Sequence, residues 1–156
     1  MSNLIRPATI KDAAYVAAHL RDEDLIEVEG LGHDRGALPF SVAVSTTAVS
    51  FSLPTGELVG VAGICPDQQD RVGSIWMLCT PGLEKAPHTF VRQARKWLKE
   101  VSKDYDVLTN LAGYDNKLHH KLLKLLGFKA LRVVQPPPYY LPYYAIVKLC
   151  ASQSEQ

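Results

Sequence analysis

The chain has 156 residues, 47% of them hydrophobic and 21% charged, and its formal net charge is +1. This composition is typical of a folded domain with one core, and a nearly neutral chain offers no overall positive field for nucleic acid. No apolar run is long enough to cross a membrane, and no signal peptide stands at the start. We therefore predict one intracellular domain over residues 1–150 and a polar tail over 151–156, without a nucleic-acid partner.

The first elements predicted are a short strand, two helices and a loop. Residues 4–6 suit the strand, and Thr9 with Asp12 forms the pattern of a capping box that starts a helix. An acidic stretch over 22–29 predicts a second, shorter helix, and the glycine-rich residues 30–38 predict a mobile loop.

Three strands and the longest helix occupy the middle of the chain. Valines among serines and threonines predict a strand over 40–53, and Pro54 begins the turn into a second strand over 57–64. The apolar segment 72–80 predicts another buried strand. Apolar residues at helical spacing predict a helix over 83–103.

The pattern of 106–128 predicts a strand, a helix and the start of the next strand. Asp115 or Asn116 can cap the helix by accepting a backbone N–H bond. Four leucines at helical spacing form its apolar stripe, and the lysines of the same segment lie towards water. Gly127 follows as a left-handed helix end.

Two strands, over 128–134 and 141–149, complete the chain on either side of a stiff proline-rich link. The predicted order is therefore βααβββαβαββ, which is typical of an α/β domain with a central mixed sheet. Four tyrosines after the prolines either form an exposed interface or alternate between core and surface: Tyr139, Tyr140, Tyr143 and Tyr144.

The cysteines are three in number, with no Cys-x-x-Cys pair, and lie at Cys65, Cys79 and Cys150. Each stands in an apolar, strand-like stretch, so we predict buried thiols in a reducing compartment. For Cys79 we prefer this interpretation to a nucleophile, since no base is recognisable beside it. No spacing of histidine, cysteine and acidic residues predicts a metal site.

Two motifs carry a resemblance to a known family. Asn116 followed by Leu123–Phe128 is similar to the Asn…Tyr-x-x-x-Gly-Phe signature of the GNAT N-acetyltransferase superfamily. The segment Ile5–Thr9 with Asp12 resembles the first strand and helix cap of that superfamily. The resemblance implies a GNAT-like fold, with a mixed sheet of about seven strands and about four helices.

The resemblance also implies a binding site for acetyl-coenzyme A. The donor would enter between the strand ending near Thr80 and the strand starting near Asp106, with its pyrophosphate at the link before the long helix. A helix start offers unpaired N–H groups and a partial positive charge to such an anion. The residues implied in donor binding are Leu78, Cys79, Thr80, Lys85, His88, Thr89, Asn110 and Asn116.

The chain departs from the family pattern at three positions. Pro87 stands near an expected glycine and has no N–H to donate, and Glu84 places a negative charge beside the phosphates. Leu123 replaces the tyrosine that protonates the leaving thiolate in the family. His119, one turn earlier, can exchange protons near neutral pH and is a candidate replacement; the alternative is a packed or surface histidine.

A general base must take a proton from the attacking amine. Asp70 lies closest to where family members carry a carboxylate and is the candidate base that the resemblance favours. Glu27, His33, Glu57 and Asp67 are alternatives between which spacing does not choose.

Two functions from different classes remain open. The first is an acetyl-coenzyme A-dependent N-acetyltransferase acting on a small-molecule or protein amine. The second is an inactive GNAT-like protein, which the departures at Pro87, Glu84 and Leu123 favour. Residues 72–134 also resemble a divergent group from short-tailed phages that includes internal virion proteins and predicted acetyltransferases. The inactive protein would act as a virion component or partner-binding module, as a homodimer or with a phage protein, in host cytoplasm or the virion.

Overall fold

A seven-stranded mixed sheet forms the centre of the computed structural model, which describes residues 4–150. The strand order β1-β2-β3-β4-β5-β7-β6, with β4 and β5 parallel, confirms the predicted mixed sheet of about seven strands. The strands are β1 Ile5–Pro7, β2 Thr47–Ser52, β3 Leu58–Pro66, β4 Val72–Cys79, β5 Val107–Gly113, β6 Lys129–Val134 and β7 Tyr143–Leu149. The helices are α1 Ile10–Ala18, α2 Asp22–Gly30, α3 Ala37–Val44, α4 Pro87–Val101 and α5 Lys117–Leu125.

The helices cover the sheet on two sides. One core cluster joins α4 and α5 to the sheet through residues such as Phe90, Trp97 and Leu122. A second cluster joins α1 and α3 to the opposite face through residues such as Val16 and Leu38. None of the helices within residues 4–150 is long and apolar enough to span a bilayer.

The local signals at two helix ends are confirmed. Thr9 and Asp12 form a reciprocal capping box at the start of α1. Gly127, after α5, has a φ of 95°, a left-handed conformation in which a side chain is strained.

The predicted strand over 40–53 is wrong in its first half, because residues 37–44 form α3. Leu38 is buried in the cluster that α1 provides, and Pro39 falls in the first turn, where a missing N–H costs little. Packing against α1 therefore outweighs the strand preference of Val42 and Val44.

The predicted helix over 83–103 is divided at its start. Pro81–Lys85 form a short 3₁₀ helix, and α4 begins afterwards at Pro87. Proline suits the first helical position because its fixed φ matches the helix and its missing N–H would have no partner there.

Candidate functional site

Strands β4 and β5 diverge and open a gap in the sheet. Their parallel pairing is short: Val72–Ser74 of β4 pairs with Val107–Thr109 of β5, and the pairing ends there. Beyond this point the Asn110 side chain stands between the strands: its Nδ2 donates to the Ile75 carbonyl, and its Oδ1 accepts from the Leu111 N–H at 2.7 Å. The second half of β4 therefore has no neighbouring strand on the β5 side.

The gap contains a cavity of about 150 Å³ with mainly apolar walls. Met77 from β4, Trp97 from α4 and Leu123 from α5 are among the apolar lining residues, and Glu27 and His119 contribute ionisable groups. A space of this size can hold a small organic group. The Trp76 indole does not fill it, since its N–H donates to Ser45 Oγ at 2.8 Å.

The backbone donors at the end of β4 are partly engaged within the chain. The Cys79 N–H donates to Asp24 Oδ2 at 2.7 Å, and the Thr80 N–H donates to the Val59 carbonyl at 2.9 Å. Because N–H groups alternate sides along a strand, the Met77 N–H points to the same side as that of Cys79, into the gap. Met77 thus offers the backbone donor that faces the cavity.

A buried ion-pair network adjoins the gap, with Asp24 at its centre. Asp24 is fully buried, and its Oδ1 accepts from the Arg21 guanidinium at 2.8 Å and from Asn116 Nδ2 at 3.0 Å. His119 Nε2 lies 3.3 Å from the same oxygen but is too poorly aligned for a full hydrogen bond, so this contact is an ion pair. The network ties α2, β4 and α5 together beneath the gap.

The charged groups in this network shift one another's pKa values. Burial acts against ionisation of Asp24, but the His119 charge and the N–H donors outweigh it and lower the pKa of the carboxyl. Burial likewise acts against the imidazolium of His119, yet Asp24 and Glu27 together raise its pKa. Asp24 is therefore a carboxylate, and His119 keeps its proton to a higher pH than an ordinary histidine.

Glu27 differs from Asp24 because it lines the cavity and has a raised pKa, chiefly through burial. Its Oε2 accepts from Asn116 Nδ2 at 2.5 Å and lies 3.9 Å from His119 Nδ1. The Tyr143 hydroxyl donates to the Glu27 carbonyl at 2.7 Å, and burial and the nearby Glu27 carboxylate raise the Tyr143 pKa to about 12. A carboxyl with a raised pKa inside a cavity has the properties of a general base.

Cys79 is a buried thiol, as predicted, and burial raises its pKa well above the usual value. Donor atoms of Cys79, Asp24 and His119 all lie within 4.8 Å of one another, a combination that can also bind a transition metal. However, the Arg21 guanidinium is 2.8 Å from Asp24, where it opposes a second cation. We interpret this cluster as an ion-pair network with a neutral thiol beside it.

The predicted pyrophosphate link forms its own hydrogen bonds. The Gly82 N–H donates to Thr80 Oγ1 at 3.2 Å, and Glu84 pairs with Arg21 at 3.0 Å instead of facing a ligand. Lys85 is exposed and pairs with Glu57 at 3.0 Å. The exposed His88 and the half-buried Thr89 stand in the first turn of α4.

The structure gathers five of the ten predicted site residues around the gap. Leu78, Cys79, Asn110, Asn116 and His119 line the cavity or belong to the adjoining network. Thr80 instead bonds to Val59 and Gly82. Asp70 does not join them: it is exposed in the turn before β4, at the opposite end of a strand roughly 25 Å long. Asn116 does not cap α5 with its side chain, because that side chain bonds the buried carboxylates instead.

The predictions from sequence missed Arg21 and Asp24. Asp24 stood in the acidic stretch at the start of α2, where its neighbours Asp22 and Glu23 are exposed. Sequence offers no sign of which acid is buried, because α2 shows no clear apolar stripe. An arginine three residues before an acid was the available signal, and it is weak.

Comparisons with known proteins show similarity at the level of structure. No family model and no curated protein matches the chain. A GNAT-family acetyltransferase from Streptococcus pneumoniae superposes with a TM-score of 0.63 at 17% identity, covering 95% of this chain and 99% of that one. AAC(6')-Ib in complex with ribostamycin and coenzyme A superposes with a TM-score of 0.66 at 18% identity, covering 93% and 92%. A variant of the spermidine N-acetyltransferase SpeG from Vibrio cholerae gives 0.64 at 8% identity, covering 97% and 99%.

These similarities extend over nearly the whole of both chains and define the fold as GNAT-like. At such identities they show the fold alone, and the activity must be argued from the site.

The raised pKa of His119 predicts a pH-dependent stability. The group stabilises the fold fully below its unfolded pKa of about 6.5, and this contribution is lost as the pH rises through the higher folded pKa. We expect the free energy of unfolding to fall from pH 6.5 upwards in the wild type and to fall less in His119→Gln. Urea unfolding at a series of pH values measures this, with the surface variant His88→Gln as control. Parallel pH curves for wild type and His119→Gln would contradict the assignment of charge.

Proposed function

We propose that this chain is an N-acyltransferase that moves an acetyl group from acetyl-coenzyme A to an amine in the gap between β4 and β5. The observation that supports this proposal is the pairing of Glu27 and His119 in the gap: a carboxyl of raised pKa and an imidazolium 3.9 Å apart, both lining the cavity. Acyl transfer to an amine needs one group to accept a proton and one to donate a proton.

The gap has the features that an acyl thioester requires. When bound, acetyl-coenzyme A supplies an electrophilic carbonyl. The apolar walls would exclude water around it, and the Met77 N–H would donate to its oxygen as negative charge develops there. Lys85 and the backbone N–H groups of His88 and Thr89 would contact the phosphates, since they lie at a helix start.

Glu27 would act as the general base. An amine attacks only in its neutral form, and Glu27 Oε2 would accept the proton that leaves the nitrogen. Asn116 holds this oxygen by a hydrogen bond of 2.5 Å and so orients the carboxylate.

His119 would donate a proton to the sulfur of the leaving thiol, a role that Leu123 cannot fill. The Asp24 carboxylate raises the pKa of His119 and contacts its Nε2, so Asp24 both orients the imidazole and keeps it protonated. The proton taken up by Glu27 would return to His119 Nδ1 once the two groups, 3.9 Å apart in this structure, approach to hydrogen-bond distance, and both would then be in their starting state.

The acceptor is proposed as a small-molecule amine, approaching from the side of α2. Two of the structural neighbours suggest this, since one is in complex with ribostamycin and the other is a spermidine N-acetyltransferase. A protein amine stays an alternative acceptor. The inactive partner-binding function, with its phage origin and dimeric or virion partners, stays a prediction that the experiment below also addresses.

Calorimetric titration with acetyl-coenzyme A, with coenzyme A alongside, tests the donor site. We expect saturable binding in the micromolar range of roughly 1–100 μM, and binding about tenfold weaker in Lys85→Glu because a cation near the phosphates is replaced by an anion. Lys99→Glu, an exposed lysine in the last turn of α4, is the matched control. Release of free thiol in the presence of an amine panel then reports turnover. A folded protein that gives no heat at millimolar ligand would rule out the enzyme and leave the partner-binding function.

A further inference from the structure

We infer that the Asn110 side chain is a spacer that holds β4 and β5 apart, and that it is therefore a positioning residue for the ligand in the gap. This inference concerns the shape of the site and, in its consequence for the donor, rests on the proposed function.

The position of Asn110 in the hydrogen-bond ladder supports this role. Val107 N–H donates to the Arg71 carbonyl, and the pairing continues in parallel up to Ser74 and Thr109. In a regular parallel ladder the next rung of this series would join the Leu111 N–H directly to the Ile75 carbonyl.

The side-chain amide of Asn110 occupies that rung. It donates to the Ile75 carbonyl through Nδ2 and accepts the Leu111 N–H through Oδ1 at 2.7 Å. One direct bond of roughly 2.9 Å is thus replaced by two bonds with a planar amide group between them. The strands begin to separate at this residue, so the spacer stands at the closed end of the gap.

Asparagine is suited to the task because one amide offers both a donor and an acceptor. Both backbone groups remain paired while the strands are apart, which avoids the cost of leaving them unsatisfied in the interior. Aspartate would lack the donor and alanine would lack both groups. The next N–H along β4, that of Met77, is then left without a strand partner and faces the cavity.

The other side of β5 is unaffected by the spacer. Asn110 and Leu111 keep a regular antiparallel register with Ile146 and Ala145 of β7. Because β5 is already ordered, loss of the spacer should let β4 pair with it along more of its length. With the spacer in place, the gap is open before any ligand binds.

Hydrogen exchange followed by NMR in Asn110→Ala tests the spacer without any ligand. We expect the Leu111 N–H to bond the Ile75 carbonyl directly and the Met77 N–H to become protected by about tenfold as the ladder extends. The thermal midpoint should be unchanged or higher, whereas affinity for acetyl-coenzyme A should fall by about tenfold or more as the gap narrows. Thr109→Ala, whose hydroxyl faces β7 by donating to the Ile146 carbonyl, is the matched control.

Two further variants complete the test. Asn110→Gln retains an amide and should restore both the wild-type exchange pattern and donor binding. Asn110→Asp keeps an acceptor for the Leu111 N–H but places a negatively charged oxygen against the Ile75 carbonyl oxygen. This repulsion should keep the strands apart, so the Met77 N–H should still exchange rapidly with solvent. If Asn110→Ala does not fold, Asn110→Asp provides the comparison. Protection of the Met77 N–H in Asn110→Asp would overturn the inference that Asn110 is a spacer.

The results separate the inference from the proposed function. Unchanged exchange of Met77 in a folded Asn110→Ala would overturn the spacer, whatever the ligand data show. Closure of the ladder with undiminished donor binding would overturn the positioning role. A wild type that binds no donor would overturn the proposed function, and the exchange data would still decide whether Asn110 holds the strands apart.

Discussion

Replacement of Glu27 by glutamine should lower the rate of acyl transfer by about 10²–10⁴-fold, the usual contribution of a general base. The amide keeps the size of the side chain and can still contact Asn116, but it cannot accept a proton from the amine. Affinity for acetyl-coenzyme A should remain within about threefold of the wild type, because in the proposed mechanism Glu27 acts on the acceptor. Steady-state kinetics together with calorimetry separate the two effects.

The pH profile gives Glu27→Gln a second readout. Activity of the wild type should rise as Glu27 ionises, at a pH above its ordinary value of 4.5, and should fall as His119 loses its proton above 6.5. The variant should lose the rising limb that Glu27 causes. Glu29→Gln, an exposed acid on the same helix, is the control and should resemble the wild type. Equal rates in Glu27→Gln and wild type would exclude Glu27 as the base.

Replacement of Asp24 by alanine should have the largest effect on stability. The change leaves the buried Arg21 and His119 without their shared carboxylate and leaves the Cys79 N–H without an acceptor. Removing one partner of a buried ion pair costs about 3–5 kcal/mol, because the remaining charge is uncompensated. Much of the free energy of unfolding of a domain this size would be lost.

Urea unfolding at pH 7 measures this loss against Asp22→Ala, an exposed acid two residues earlier on the same helix. The control should change the free energy of unfolding by less than about 0.5 kcal/mol, as for most surface positions. Asp24→Asn should fall between the two, since it keeps the shape and loses the charge. A loss in Asp24→Ala no larger than in the control would show that the network contributes no stability.

Local patterns predicted the elements whose formation depends on neighbouring residues. The capping box of Thr9 and Asp12, the left-handed Gly127 and the apolar stripe of α5 need no long-range partner to be recognised. The number and order of strands followed from apolar runs between turn residues. A central mixed sheet was predictable for this reason, and its GNAT-like form only from the resemblance of the two motifs. Helix α3 was not predictable, because its apolar sequence suits either a strand or a helix packed on α1.

The sequence by itself determined the seven strands and their order along the chain, four of the five helices and the burial of Cys79. Only the tertiary structure decided that Glu27, and neither Asp70 nor the other candidate bases, lies in the gap beside His119. The same holds for Asp24, whose partner Asn116 lies 92 residues further along the chain. The physical reason is that burial and opposing charge set a pKa, and both depend on groups that folding brings together from distant parts of the chain.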